Sequence, residues 1–155
     1  MRSPIRPLLG ALALTLALTS GARAFLVEWS GAIDYHNDVD FVSFTALSDL
    51  NGVALWTDSE DDGANFDPII ALWDAGGNLI AENDDNGTIH PGQSSYDAGI
   101  LLPFLGSGDY TISITSYDNF ANGNNLADGF FYEFDTPVPI EEWWTGGAGE
   151  WHLNL

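Results

Sequence analysis

The sequence predicts an all-β fold, a jelly-roll-like antiparallel β-sandwich of about eight or nine strands. Three observations carry this. No segment shows a helical apolar stripe longer than two turns. Short β-branched and aromatic runs recur at fairly even spacing. Gly, Asn, Asp and Pro punctuate those runs, the pattern of a sandwich or barrel. Strands are expected near 26–33, 40–47, 52–58, 67–73, 78–83, 99–105, 109–116, 129–135 and 149–155.

The second strand alternates cleanly through Phe41-Val42-Ser43-Phe44, so it buries one face. Ser48-Asp49-Leu50-Asn51-Gly52 is expected to turn it into the third as a hairpin. The fourth, with Ile69 to Trp73 almost wholly apolar, reads as a central strand covered on both sides. Asp74-Ala75-Gly76-Gly77 links it to the fifth. The sixth, Ile100 to Leu105, has the same apolar character, and Gly106-Ser107-Gly108 leads into the seventh. There Tyr110-Thr111-Ile112-Ser113-Ile114 alternates again. Glycine suits the positive φ angles of such short connections. Trp56 and Trp73 sit in strand patterns and are expected in the core.

The first 24 residues read as a secretory signal. Arg2 and Arg6 form a basic start, residues 8–18 are apolar apart from Gly10 and Thr15, and Ala22-Arg23-Ala24 is a small-x-small cleavage site. The apolar run is too short to span a bilayer. Cleavage after Ala24 leaves residues 25–155 as a single domain, with no membrane span, destined for the periplasm, the cell surface or the medium. Cysteine is absent, so export does not serve a disulfide frame.

All three cationic side chains, Arg2, Arg6 and Arg23, fall within that signal, so its removal takes the formal charge from −20 to −23. Nucleic acid is excluded as a partner because nothing remains to neutralise phosphates. Anionic membranes are disfavoured for the same reason. The carboxylates must be hydrated, bonded to backbone N–H groups, or neutralised from outside. Aspartates number 16 against 7 glutamates, and most lie within two residues of a glycine or asparagine. A coat serving only solubility would spread Glu over element faces.

Strand alternation places the three tight turns at one end of the sandwich and the longer loops at the other. If Trp73 faces Asn78, Asp67 faces Asp84. If Leu105 faces Asp109, Asp97 faces Tyr117 beside Asp118. Asp40 likewise falls opposite Asp58. The loops at that end add Asp34, Asp38, Glu60, Asp61, Asp62, Asp85 and Asp128, giving thirteen acids at one pole. The tight-turn pole has Asp49, Asp74 and Asp109. Two facing carboxylates ~5 Å apart repel by about 3 kcal/mol at an effective dielectric of ~20. Without Lys or Arg, a divalent cation is the obvious relief. Calcium suits hard oxygen donors in flexible geometry, and soft metals find no Cys and only His36, His90 and His152. No complete EF-hand is present. The loop beginning at Asp58 has Ile69 where a bidentate Glu is needed, and the one beginning at Asp118 has Phe120 at its third position and Gly129 at its twelfth. Asp, Asn and Gly also form turns for purely local reasons.

Several stretches resemble a known family. They are Asp38-x-Asp40-Phe41-x-x-Phe44, Phe66-Asp67-x-x-Ile70-x-Leu72-x-Asp74-x-x-Gly77-x-x-Ile80-x-x-Asn83-Asp84-Asp85, and Gly106-x-Gly108-x-Tyr110-Thr111-Ile112-x-Ile114. Tyr96-Asp97-Ala98, Tyr117-Asp118-Asn119 and the final Glu150-Trp151-His152-Leu153-Asn154-Leu155 extend the likeness over essentially all of 25–155. The pattern is similar to the bacterial pre-peptidase C-terminal domain, and more closely to small secreted bacterial proteins related to it. The resemblance implies a jelly-roll-like sandwich without catalytic activity, and domains that aid substrate or matrix binding and can bind calcium. It implies that Asp38 and Asp40 match an Asp-x-Asp supplying calcium ligands in collagen-binding relatives. The Glu-Pro-Asn-Asp stretch that supplies further ligands there is missing, as is a protease domain. The Pro-Glu-Pro sorting tail of many close relatives is also lacking, so anchoring by that route is not expected.

The expected metal ligands are therefore Asp38, Asp40, Asp58, Asp67, Asp84, Asp85, Asp97 and Asp118. Catalysis finds little support. There is no cysteine nucleophile, no Lys or Arg for oxyanion or phosphate work, and no Gly-x-Ser-x-Gly elbow. Glu141 and Glu142 are adjacent, so in a strand they would point to opposite faces. The expected function is a non-catalytic, calcium-stabilised module with a structural, adhesion or matrix-binding role, its partner a matrix protein. The rival expectation is a polysaccharide-binding module stacking sugars on Trp143 and Trp144, a pair that reads more naturally as a cap on the end of the core.

Overall fold

A computed structural model describes residues 26–143 and 147–155. The expected signal and Trp144 lie outside the described residues. The strands are β1 (Glu28–Ala32), β2 (Asp40–Ala46), β3 (Leu50–Thr57), β4 (Pro68–Asp74), β5 (Leu79–Asn83), β6 (Gly99–Leu105), β7 (Gly108–Ser116) and β8 (Glu150–Asn154). They form two four-stranded antiparallel sheets, ordered β1-β8-β3-β6 and β2-β7-β4-β5. Alternating residues of both sheets meet in one core, where Leu55, Ile70, Leu72, Ile112, Ile114 and Leu153 lose all contact with water.

Only one of the three expected hairpins pairs its own strands. β4 and β5 are hydrogen-bonded neighbours. β2 pairs with β7 and β3 with β6, so the connections after Ala46 and after Leu105 carry the chain from one sheet to the other. Glycine-rich turns serve a crossover as readily as a hairpin, and alternation reveals a buried face without revealing its sheet. The facing pairs inferred from those hairpins are overturned with them. Asp40 stands opposite Ile114, not Asp58. Asp97 precedes β6 in one sheet, whereas Tyr117 follows β7 in the other.

Strand direction nevertheless alternates as expected. The short connections at 47–49, 75–78 and 106–107 share one end, and the long connections share the other. Asp128 is the exception. Its segment runs back beside the β4–β5 turn, with Leu79 N–H donating to the Asn124 carbonyl at 2.9 Å and Leu126 N–H to that of Gly77 at 2.8 Å.

That excursion explains two further differences. Residues 129–135 form turns rather than a strand; only Phe130 bridges, to Ala121. Their aromatic spacing imitates a strand, but the segment instead lies over the outer face of β4. Phe130 packs edge-on against Trp73 (6.3 Å) and Phe41 (6.4 Å), in a second apolar cluster with Ala71. β4 is thus covered on both faces, as its composition implies. β6, equally apolar, is an edge strand with Leu101 and Phe104 more than half exposed. Trp73 is wholly buried and donates Nε1–H to Ser113 Oγ at 3.0 Å. Trp56 is only half-buried and stacks on His90. Phe130→Ala should cost about 3 kcal/mol, because it opens a cavity over Trp73. Urea denaturation measures it; a loss below about 1 kcal/mol would show that the excursion contributes little to stability.

Candidate metal centre

β4 begins immediately after Asp67, and its neighbour β5 ends immediately before Asp84 and Asp85. A bulge between Leu72 and Trp73 shifts the register, so Trp73 lies opposite Leu79 and the ladder closes at Ile70 and Asn83. Asp67 and Asp84 therefore do not face each other within the sheet, as the simple register implied. They meet just beyond its end. One oxygen each from Asp67, Asp84 and Asp85 lies within 4.8 Å of the others.

The electrostatics of this cluster are severe. Burial, then the negative charges of Asp84, Asp85, Glu60 and Asp97, push the Asp67 carboxyl up to about 8. Burial, then Asp85, Glu82 and Asp118, push Asp84 up to about 6. Oδ1 of Asp67 and Oδ1 of Asp84 are buried without a hydrogen-bond partner. Such orphaned oxygens are costly unless something satisfies them. The donor set is all hard oxygen, which suits calcium. Three carboxylates offer up to six oxygens, and water can complete the shell. Glu60, absent from the expected ligands, stands close by. It is only 3% exposed and its Oε2 also lacks a partner. Its place in the acidic run from Asp58 was the sequence signal for it.

The other expected ligands are engaged within the protein. Asp97 is fully buried and saturated. Its Oδ1 accepts from Thr57 Oγ1 (2.8 Å), Ser59 N–H (3.1 Å) and Glu60 N–H (3.3 Å), and its Oδ2 accepts from Ser94 N–H (2.7 Å). Asp38 Oδ2 accepts from the N–H groups of Asp34 and Tyr35, both at 2.9 Å. Asp40 Oδ2 accepts Trp151 Nε1–H at 2.7 Å, a bond that offsets part of the upward push of burial on this carboxyl. Asp118 Oδ1 accepts from the Tyr132 hydroxyl at 2.7 Å, which helps push that phenol up to about 12. Asp58 pairs with His152 Nδ1 at 2.5 Å, a partner 94 residues away in β8 that no local spacing pattern reveals. The structure thus gathers Asp67, Asp84 and Asp85 and disperses Asp38, Asp40 and Asp58 to other tasks.

Trp143 closes the same end of the core. Its ring stacks on buried His36 at 4.1 Å, meets Tyr132 edge-on at 5.5 Å, and donates Nε1–H to the Tyr117 carbonyl at 3.0 Å. One face and the polar edge are thereby committed, in the manner of a cap.

No protein-family model matches the chain, and no curated protein matches it. Among solved structures, it is similar to the pre-peptidase C-terminal domain of collagenase from Bacillus anthracis, with 13% sequence identity and a TM-score of 0.48, over 83% of this chain and 88% of that one.

Proposed function

We propose that this protein is a non-catalytic, exported β-sandwich module whose loop pole is held together by calcium, and that it serves a structural, adhesion or matrix-binding role. One observation carries the reading. Asp67, Asp84 and Asp85 converge with two buried, unpartnered oxygens, in a sequence without lysine or arginine after residue 23. A cation from solution relieves the repulsion and satisfies those oxygens together. Calcium tolerates irregular oxygen shells, whereas magnesium demands a near-ideal octahedron and keeps its waters.

Asp84→Asn tests the site. The variant should melt higher than the parent in chelator at pH 8, because one repelling charge is gone. It should also gain less than half of the parent's calcium-induced rise. An undiminished calcium response would place the cation elsewhere. The polysaccharide alternative is weakened by the contacts of Trp143, and titration with glycans while following Trp fluorescence separates the two readings.

A further inference from the structure

The excursion that covers β4 carries aromatic rings on its outer side. Phe131 is 58% exposed and Phe134 is 86% exposed. Phe131 meets Phe120 edge-on at 6.3 Å, and Phe120 meets Tyr117 edge-on at 5.9 Å. The backbone beneath them is tied down. Phe131 N–H donates to the Phe120 carbonyl at 3.0 Å, Tyr132 N–H to Asn119 Oδ1 at 3.0 Å, and Asn122 Nδ2–H to the Phe130 carbonyl at 2.9 Å. Two successive turns follow, Glu133 N–H to the Phe130 carbonyl and Asp135 N–H to that of Tyr132, and they hold Phe134 outward. Burying a Phe ring is worth about 1.5–3 kcal/mol. A ring presented to water on a fixed backbone forgoes that gain, and exposed apolar patches of this kind mark interaction sites. Carboxylates flank the rings at Asp118, Glu133 and Asp135.

We propose that this face docks a basic, arginine-bearing polypeptide segment. Charge decides the occupant. From residue 24 onward the chain holds 23 carboxylates and neither lysine nor arginine. A second copy would bring like charge to the same acidic rim, which opposes self-association. Nucleic acid and anionic lipid are repelled on the same ground. A guanidinium satisfies both features of the surface, because it stacks on aromatic faces and bonds carboxylates through two N–H groups at once. A lysine ammonium pairs with the carboxylates but stacks less well.

The test uses the full chain from residue 25 with fluorescent oligoarginine and oligolysine peptides of equal length, at physiological ionic strength. Oligoarginine should bind several-fold more tightly than oligolysine. Phe131→Ser combined with Phe134→Ser should weaken oligoarginine binding about tenfold, the loss expected from two exposed cation–π contacts. Leu101→Ser with Phe104→Ser, which removes two exposed apolar side chains from an edge strand of the opposite sheet, should leave it unchanged. Glu133→Gln with Asp135→Asn should weaken both peptides and keep the preference for arginine. All six substituted positions are exposed or half-exposed, so melting temperatures should stay near the parent's and report intact folding. Equal binding of the two peptides, or equal losses in the two apolar double variants, would reduce the effect to bulk charge and overturn the proposal. So would a concentration-dependent dimer abolished by the Phe131 and Phe134 changes, which would assign the face to a second copy.

Discussion

In chelator, the melting temperature of the protein should fall as the pH rises from about 5 to about 8, and calcium should abolish that fall. The sign follows from linkage. Asp67 and Asp84 both start from an ordinary carboxyl value of 3.8 in the unfolded chain and sit at about 8 and about 6 in the fold. Below the unfolded value both states hold both protons, and the fold is unpenalised. Between the unfolded and folded values the unfolded chain has released protons that the folded chain retains, so rising pH favours unfolding. The slope is steepest up to about 6, where both groups contribute, and ends near 8. Asp40 and Glu82, also raised by burial, act in the same direction. Asp74, lowered by its bonds from Asn78 and Gly76, acts oppositely and only toward acid pH. Both cluster carboxylates keep partial contact with water, which screens the repulsion, so the expected drop is several degrees rather than unfolding. Calcium at about 100 times its dissociation constant adds about 2.7 kcal/mol, a rise of roughly 10 °C for a domain of this size. The rise should be larger at pH 8 than at pH 5, where protons compete for the ligands. Thermal scans at several pH values in chelator, calcium and magnesium measure all of this.

Asp97→Ala should cost about 4 kcal/mol or more while leaving calcium binding in the surviving folded fraction. The substitution orphans the Thr57 hydroxyl and the N–H groups of Ser59, Glu60 and Ser94, all gathered on one fully buried carboxylate. Each abandoned buried donor costs about 1–3 kcal/mol. The Thr57 hydroxyl also accepts from Ala98 N–H at 3.0 Å, so its loss of orientation reaches the start of β6. Domains of this kind are stable by about 5–15 kcal/mol in total, so the variant should unfold at markedly lower urea. Asp97→Asn keeps one acceptor oxygen and should lose less. A mild effect of the alanine change, paired with loss of calcium binding, would make Asp97 a ligand after all.

How much of this was legible in the residues differs from element to element. The β class and eight of the nine expected strands were readable because alternation and turn residues report local geometry, as in Phe41 to Phe44 and Tyr110 to Ile114, whereas the aromatic run at 129–135 imitates a strand and forms turns. The acidic pole was readable because strand direction alternates whichever sheet a strand joins. Sheet membership was not. The turns after Ala46 and Leu105 carry the same Gly and Asp chemistry as a hairpin, yet they cross between sheets. The apolar run of β6 could not be told from that of β4, because only the 117–135 excursion decides which is covered. Asp67, Asp84 and Asp85 were recognisable as the flanks of a true hairpin. Asp97 was not, since the donors that saturate it arrive from two loops far apart in sequence. Trp143 was ambiguous for a similar reason: its partner His36 lies across the chain.

Calorimetric titration of calcium into the chain from residue 25, beside the Asp67→Asn/Asp84→Asn double variant, tests the central claim most directly. The parent should show saturable binding near one ion per chain at the loop pole, and the folded double variant should show none at that stoichiometry. Equal binding by parent and variant, or no binding by the parent above the weak, salt-sensitive background of a highly acidic surface, would contradict it.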